Sequence, residues 1–146
     1  MAEFAEIVGR LFLGNSHCIT QKGVLDALQV HTVISILAED EYERYRVTRE
    51  AIGSERAWHR IVLEDDESED ISKHFHEVHH TIRENLREGH AVIVHCGAAV
   101  SRSPTLIIAY LMLENGWDYE RAYRYVKDRR PYIRPNKGFE AQLKAI

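Results

Sequence analysis

Cys96 and Arg102, with five residues between them, have the types and spacing for covalent chemistry on a phosphate ester. The intervening Gly97-Ala98-Ala99-Val100-Ser101 is small and uncharged, so its backbone can curl round a tetrahedral anion. A loop that joins a strand end to a helix N-terminus gathers unpaired N–H groups into an anion nest, and the helix dipole reinforces it. Cys96 would then sit beneath phosphorus, with the helix end and the Arg102 guanidinium favouring its thiolate. Arg102 would fold back over the oxygens, its planar fork matching two of them at once. A lone Cys at a strand end is more often an inert core residue, and a lone Arg at a helix start is usually solvated. The two together, in this frame, point to phosphoryl transfer.

That frame has to be supplied by the flanks. Ala91-Val92-Ile93-Val94 is a β-branched run suited to a strand buried on both faces. Ser103-Pro104 reads as a helix start, Ser capping and Pro at the first helical position, and the apolar Leu106–Leu113 follows. Upstream, Glu6–Gly14 reads as two short strands turning at Gly9, Val24–Leu28 as a short helix, and His31–Leu37 as a buried strand. Ala38–Gly53 is charged and reads as an exposed loop and helix, and Trp58–Leu63 as a further strand. Ile71, Phe75, Val78, Ile82 and Leu86 mark one helical face that ends at Gly89. Asp118 can cap a helix stopped by Pro131, and Arg134–Phe139 opens a last helix that ends in Leu143. The fold class expected is α/β: a central mixed, mainly parallel sheet of about five strands flanked by helices.

Expelling an alkoxide or phenolate from phosphorus requires a proton donor near the leaving oxygen. The acidic stretch Glu64–Asp70 is the place to look, although most of its carboxylates read as a solvated loop with a helix cap at Asp70. His76 and His80 have the i, i+4 spacing of a metal pair, but no third ligand is evident, so no metal and no cofactor are expected. Cys18 reads as a small buried residue rather than a resolving thiol. Arg129, Arg130, Arg134 and Lys137 read as a basic patch or, more plainly, a solvated helix end.

With 146 residues the chain suits one domain, 1–146, with a single core. Its net charge of −4 gives no general pull toward nucleic acid or an anionic membrane. Two irregularly spaced cysteines argue against a disulfide framework or zinc site. No stretch has the sections of a signal peptide, and Met1-Ala2-Glu3 lacks the Gly needed for myristoylation. A thiolate nucleophile needs reducing surroundings, so cytosol or nucleus is expected.

HCGAAVSRSPT resembles the signature loop, H-C-x5-R-[S/T], of the cysteine-dependent protein tyrosine phosphatases. LFLGN, EDDESEDISKHF, RSPTLIIAYLM and RPNKGFEAQL, in that order, narrow the resemblance to the small dual-specificity phosphatases across nearly the whole chain. The resemblance implies hydrolysis of phosphotyrosine and phosphoserine or phosphothreonine on proteins through a cysteinyl-phosphate. Cys96 would be nucleophile, Arg102 and the amides of Gly97–Arg102 the oxygen clamp, and Ser103 the donor to the departing thiolate. His95 would support the loop and Asn136 would brace it. The register places the general acid at Asp65, with Asp66 the alternative. Family members that act on phosphoinositides or RNA 5′-phosphates carry cations inside the loop; here it is uncharged, which favours protein substrates. A phosphate-binding module without turnover is the competing reading, although Cys, Arg and acid are all present. A sulfur-transfer or arsenate-reducing enzyme would lack RPNKGF. The family usually has Gly where this chain has Ala99, and a positive φ there would cost Ala about 1–2 kcal/mol unless Gly97 supplies latitude.

Overall fold

The computed structural model describes residues 1–146. Five strands, β1 (Phe4–Val8), β2 (Leu11–Gly14), β3 (Val30–Leu37), β4 (Ala57–Val62) and β5 (Ala91–His95), form one sheet in the order β1-β2-β5-β3-β4. β2, β5, β3 and β4 run parallel, and β1 pairs antiparallel on the edge. The mixed, mainly parallel sheet agrees with the patterning. β5 is central, and all five of its residues are buried, as a continuous β-branched run in a parallel sheet should be.

Eight helices complete the chain: α1 (His17–Thr20), α2 (Val24–Ala27), α3 (Glu39–Arg44), α4 (Arg49–Ile52), α5 (Phe75–Arg87), α6 (Arg102–Asn115), α7 (Tyr119–Arg129) and α8 (Lys137–Lys144). α6 packs on β2, β3 and β5, and α5, α7 and α8 pack around it. Every residue of α6 from Arg102 to Met112 is buried, the signature of a helix enclosed on all sides. A single cluster of 39 buried residues forms the core. Each fully buried Leu or Ile in it contributes about 1.5–3 kcal/mol. No helix is long and apolar enough to cross a membrane.

Three details correct the reading of the sequence. α6 begins at Arg102, with Ser101 at its N-cap, so Ser103 is not the cap and Pro104 is the third helical residue. Pro is tolerated there because the first turn has no intrahelical partner for its missing N–H. Ser103 is therefore free to point its hydroxyl elsewhere. Ala38–Gly53 holds two short helices that bury Tyr42, Val47 and Ile52, not a wholly exposed segment. Asp70 accepts a hydrogen bond from the Ser72 hydroxyl and caps no α-helix.

The parallel strands all end on one side of the sheet, where His95 of β5 stands beside Gly14 of β2 and Ser35 of β3. The chain leaving each of those ends contributes to one place: Ser16 after β2, Glu41 after β3, Asp65 after β4 and the Cys96 loop after β5. Open parallel sheets carry their sites at this edge because connections diverge there and leave a crevice.

Candidate active site

The loop from Cys96 to Arg102 has its backbone sorted by polarity. Its carbonyls are all taken. The Cys96 carbonyl accepts from Ser16 Oγ (2.8 Å) and from His95 Nδ1 (3.1 Å). Those of Gly97, Ala98, Ala99 and Val100 accept from Ser16 N (3.0 Å), Arg130 Nη2 (2.9 Å), Arg130 Nε (3.0 Å) and Arg134 N (2.6 Å). That of Ser101 accepts from Thr105 N and Oγ1 (3.0 and 2.7 Å). None of the amide N–H groups of Gly97 through Arg102, by contrast, donates to any backbone or side-chain acceptor. Six donors in succession without acceptors, on a rim whose carbonyls are satisfied elsewhere, are a built anion cradle.

Ala99 holds a left-handed backbone, φ 59°, while Gly97 does not. The cost of about 1–2 kcal/mol for a Cβ there is therefore incurred at Ala99 and not relieved two residues earlier. The two Arg130 hydrogen bonds straddle this residue, on Ala98 and Ala99, and hold it in place. Gly97 serves closeness instead: a Cβ on it would stand 3.3 Å from Tyr45 Cε2.

Cys96 is buried, and its Sγ lies 3.1 Å from Ser103 Oγ. Arg102 is also buried; its Nη1 and Nη2 donate to Glu41 Oε1 (2.5 Å) and Oε2 (3.1 Å), and Nη1 donates to the Leu63 carbonyl (3.1 Å). Of the five guanidinium protons this leaves Nε–H and one on Nη2, one edge of the fork, for two oxygens of a phosphate. Burial works against the Glu41 carboxylate, yet the hydrogen bonds from Arg102 and the Ala38 N–H keep its pKa below the ordinary carboxylate value. Glu41 thus stays ionised and aims Arg102. Glu41→Gln is expected to lower kcat/KM about 10- to 100-fold, the loss of one charge-assisted hydrogen bond. Steady-state kinetics on an aryl phosphate checks this; an unchanged rate would remove Glu41 from the site.

His95 is fully buried, and burial, the dominant cause, pushes its pKa down from 6.5 to about 4. Its neutral ring sits in a directed chain: Trp58 Nε1 donates to Ser35 Oγ (2.9 Å), Ser35 Oγ to His95 Nε2 (2.6 Å), and His95 Nδ1 to the Cys96 carbonyl. A base with a depressed folded pKa contributes stability that is fully present above pH 6.5 and lost as pH falls from there through about 4. The loss amounts to about 3 kcal/mol. Denaturant titrations at pH 7 and pH 4.5 should show it, with His95→Asn less stable but flatter between the two.

Asp65 and Asp66 both line a cavity of about 310 Å³ shared with Glu41, Arg44 and Arg102. Their carboxylates differ. Asp66 Oδ1 accepts from both Ser68 Oγ (2.6 Å) and Ser68 N (2.8 Å), and these bonds lower its pKa. Asp65 Oδ1 accepts from Asn136 Nδ2 (2.9 Å). Asn136 in turn donates its backbone N–H to Ser101 Oγ (3.0 Å) and caps α8 by accepting from Phe139 N (2.9 Å). One Asn therefore joins the acid loop, the phosphate loop and a helix start.

A model of the dual specificity phosphatase catalytic domain matches residues 11–146. The chain belongs to the dual-specificity phosphatase family. It is 36% identical over 138 residues to rat dual specificity protein phosphatase 5, covering 94% of this chain and 34% of that protein. It is 45% identical over 87 residues to human protein phosphatase Slingshot homolog 1, covering 60% of this chain and 8% of that one. It thus spans about a third or less of the length of these relatives. Among solved structures, human tyrosine phosphatase-like serine/threonine/tyrosine-interacting protein superposes with a TM-score of 0.90 at 30% identity, over 97% of this chain and 93% of that one.

The dual-specificity phosphatase site includes groups that the sequence does not disclose. Glu41 lay in a stretch read as solvated. Arg130, read as a solvated helix end or patch, is buried and clamps two loop carbonyls, because α7 ends against the loop. Ser16 had no signal beyond its place after LFLG. Cys18 is buried as expected, its thiol engaged by the Glu3 carbonyl, and burial raises its pKa. No group of three or more His, Cys, Asp or Glu is placed to hold a metal ion.

Proposed function

We propose that this dual-specificity phosphatase hydrolyses phosphotyrosine and phosphoserine or phosphothreonine in proteins, with residues 1–146 acting as one catalytic domain in a reducing compartment, cytosol or nucleus. The observation that carries the reading is the run of six unengaged amides, Gly97 to Arg102, that directly follows Cys96. The Cys96 thiolate attacks phosphorus in line; the S–P bond forms as the P–O bond to the leaving group breaks. Asp65 gives its proton to the leaving oxygen. The amides of Gly97–Arg102 and the free edge of Arg102 hold the equatorial oxygens, where transition-state charge is spread. Water then attacks phosphorus and yields its proton to the Asp65 carboxylate. The S–P bond breaks, Ser103 donates a hydrogen bond to the returning thiolate, and inorganic phosphate leaves.

The bonds of Asp66 to Ser68 favour Asp65 as the acid, since they hold Asp66 in its charged form. Ala99 already adopts φ 59°, so the substitution of the family's usual Gly does not keep the loop from its left-handed turn. Nucleophile, oxygen clamp and proton donor all come from the chain, so the reaction is expected to proceed in the presence of a chelator. The test is a peptide phosphorylated on both Thr and Tyr, incubated with the enzyme and EDTA. Loss of both phosphates supports the proposal. Loss of the Tyr phosphate alone would restrict it to phosphotyrosine, and tight binding without hydrolysis would favour a phosphate-binding module.

A further inference from the structure

The six peptide units between Cys96 and Arg102 share one arrangement. In each, the carbonyl accepts a hydrogen bond from outside the loop, and the N–H at the other end of the same unit has no acceptor. A carbonyl that accepts a hydrogen bond polarises its whole peptide unit, so the opposite N–H becomes a stronger donor. The groups behind the cradle therefore bear on how tightly its front holds an anion.

Those groups are unequal. Ser16, the His95 ring, the backbone N–H of Arg134 and Thr105 are all neutral donors. Arg130 alone brings a charge. Its Nη2 and Nε donate to the Ala98 and Ala99 carbonyls, and the opposite ends of those two units are the Ala99 and Val100 N–H groups, the middle pair of the six. Charge-assisted hydrogen bonds are about twice as strong as neutral ones. The charge of Arg102 is matched by Glu41, with both side chains largely out of water. Arg130 is also buried, but the carboxylate it faces, Glu3, stands 3.4 Å from Nη1 on a side chain 54% exposed. Water screens that carboxylate, so the guanidinium behind the loop keeps most of its field.

We infer that Arg130 is a positioning residue for phosphoryl transfer that delivers its charge through the backbone. Its guanidinium strengthens the Ala99 and Val100 amides as donors to the phosphate oxygens and touches neither phosphate nor leaving group. The inference rests on the Cys96 loop being the phosphoryl-transfer site. It goes beyond bracing the left-handed Ala99, because a brace needs only a donor of the right reach, whereas polarisation needs the charge.

The test measures kcat/KM on 4-nitrophenyl phosphate and inhibition by inorganic phosphate for wild type, Arg130→Lys, Arg130→Gln and Glu3→Gln. Lys keeps the charge and Gln keeps a neutral donor. Arg130→Gln is expected to lower kcat/KM and weaken phosphate binding about 10- to 100-fold, the scale of a charge-assisted hydrogen bond. Arg130→Lys should recover most of both losses. Glu3→Gln removes the carboxylate that offsets Arg130, while the backbone contacts of Glu3 with Asn15 and Cys18 remain. It should tighten phosphate about 2-fold, and less at high salt. Equal losses in the Lys and Gln variants would overturn the inference, as would a Glu3→Gln variant that binds phosphate no better than wild type. So would Arg130→Gln recovering fully once Ala99→Gly is added, since that change relieves strain and adds no charge; Arg130 would then be a brace alone. If Arg130→Gln does not fold, the exposed Glu3→Gln decides by itself. A wild type inert on 4-nitrophenyl phosphate defeats the Cys96 reading, whereas an active wild type with equal Lys and Gln variants defeats only the role of Arg130.

Discussion

Cys96→Ser is expected to lower turnover by on the order of 10⁴-fold or more, while binding of a phosphopeptide changes only a few-fold. The expectation follows from how the site divides its labour. In the proposed mechanism phosphate is held by six amides and the spare edge of Arg102, none of which depends on the sulfur. The carbonyls that fix those amides are anchored by Ser16, His95, Arg130, Arg134 and Thr105, and these remain. Only the nucleophile is lost, because a serine hydroxyl has no base within reach to activate it. His95 is neutral but already uses Nδ1 on the Cys96 carbonyl and Nε2 on Ser35. Steady-state rates and calorimetric titration with a phosphopeptide check the two halves separately. Residual turnover above a hundredth of wild type would sink the assignment of Cys96, and loss of binding along with rate would mean the sulfur also holds the loop together.

Gly138→Ala is expected to cost both stability and leaving-group protonation. A Cβ at Gly138, near the start of α8, would come within 2.0 Å of the Glu67 carbonyl oxygen and 2.7 Å of its Cα, a backbone overlap that no rotamer change relieves. The loop carrying Asp65 rests there on α8, fastened by Gln142, which donates to the Glu69 carbonyl (2.9 Å) and accepts from Ser72 N (2.9 Å). An added methyl must lift the loop. Overpacking of this kind costs about 1–3 kcal/mol. The lift would also draw Asp65 from Asn136 and from the leaving oxygen, and a positioned general acid is worth about 10²–10⁴ in rate. The signature is selectivity. Phosphoserine peptides, with a poor leaving group, should lose about 100-fold or more, while 4-nitrophenyl phosphate, whose leaving group departs without a proton, should lose little. Gln142→Ala, which leaves room and removes only the two fasteners, should show the same pattern more weakly and remain folded. Equal losses on both substrates would make the contact purely structural.

What could be read from the chain without its structure was local. Cys96, the uncharged loop and Arg102 are contiguous, so strand, nest and helix start declare themselves within a dozen residues. The buried strands show as β-branched runs. Asp118 shows as a cap because capping acts over three residues, onto Arg121 N, whereas the capping of α8 by Asn136 comes from the structure. The conditional cost of Ala99 was legible too, since handedness depends on one residue's Cβ. The exact start of α6 was not, because Ser101 and Ser103 are chemically alike, and only the geometry shows which one faces Cys96.

The groups that aim the chemistry come from afar. Glu41 reaches Arg102 across 61 positions, Ser16 reaches the Cys96 carbonyl across 80, and Asn136 reaches Asp65 across 71. Periodicity reports which face of an element is buried, and it carries no information on which distant element covers that face. A charged residue in a charged stretch, such as Glu41 or Arg130, reads as solvated until the fold supplies a buried partner. The sequence alone pointed to the proposed reacting groups, because Cys96, the uncharged loop and Arg102 lie on one short run of backbone. Tertiary structure decided which carboxylate orients Arg102, which one Ser68 engages and which Asn136 engages, and which carbonyls find partners while six successive amides have none. Those choices depend on where the parallel strands end beside one another, a property of the whole sheet.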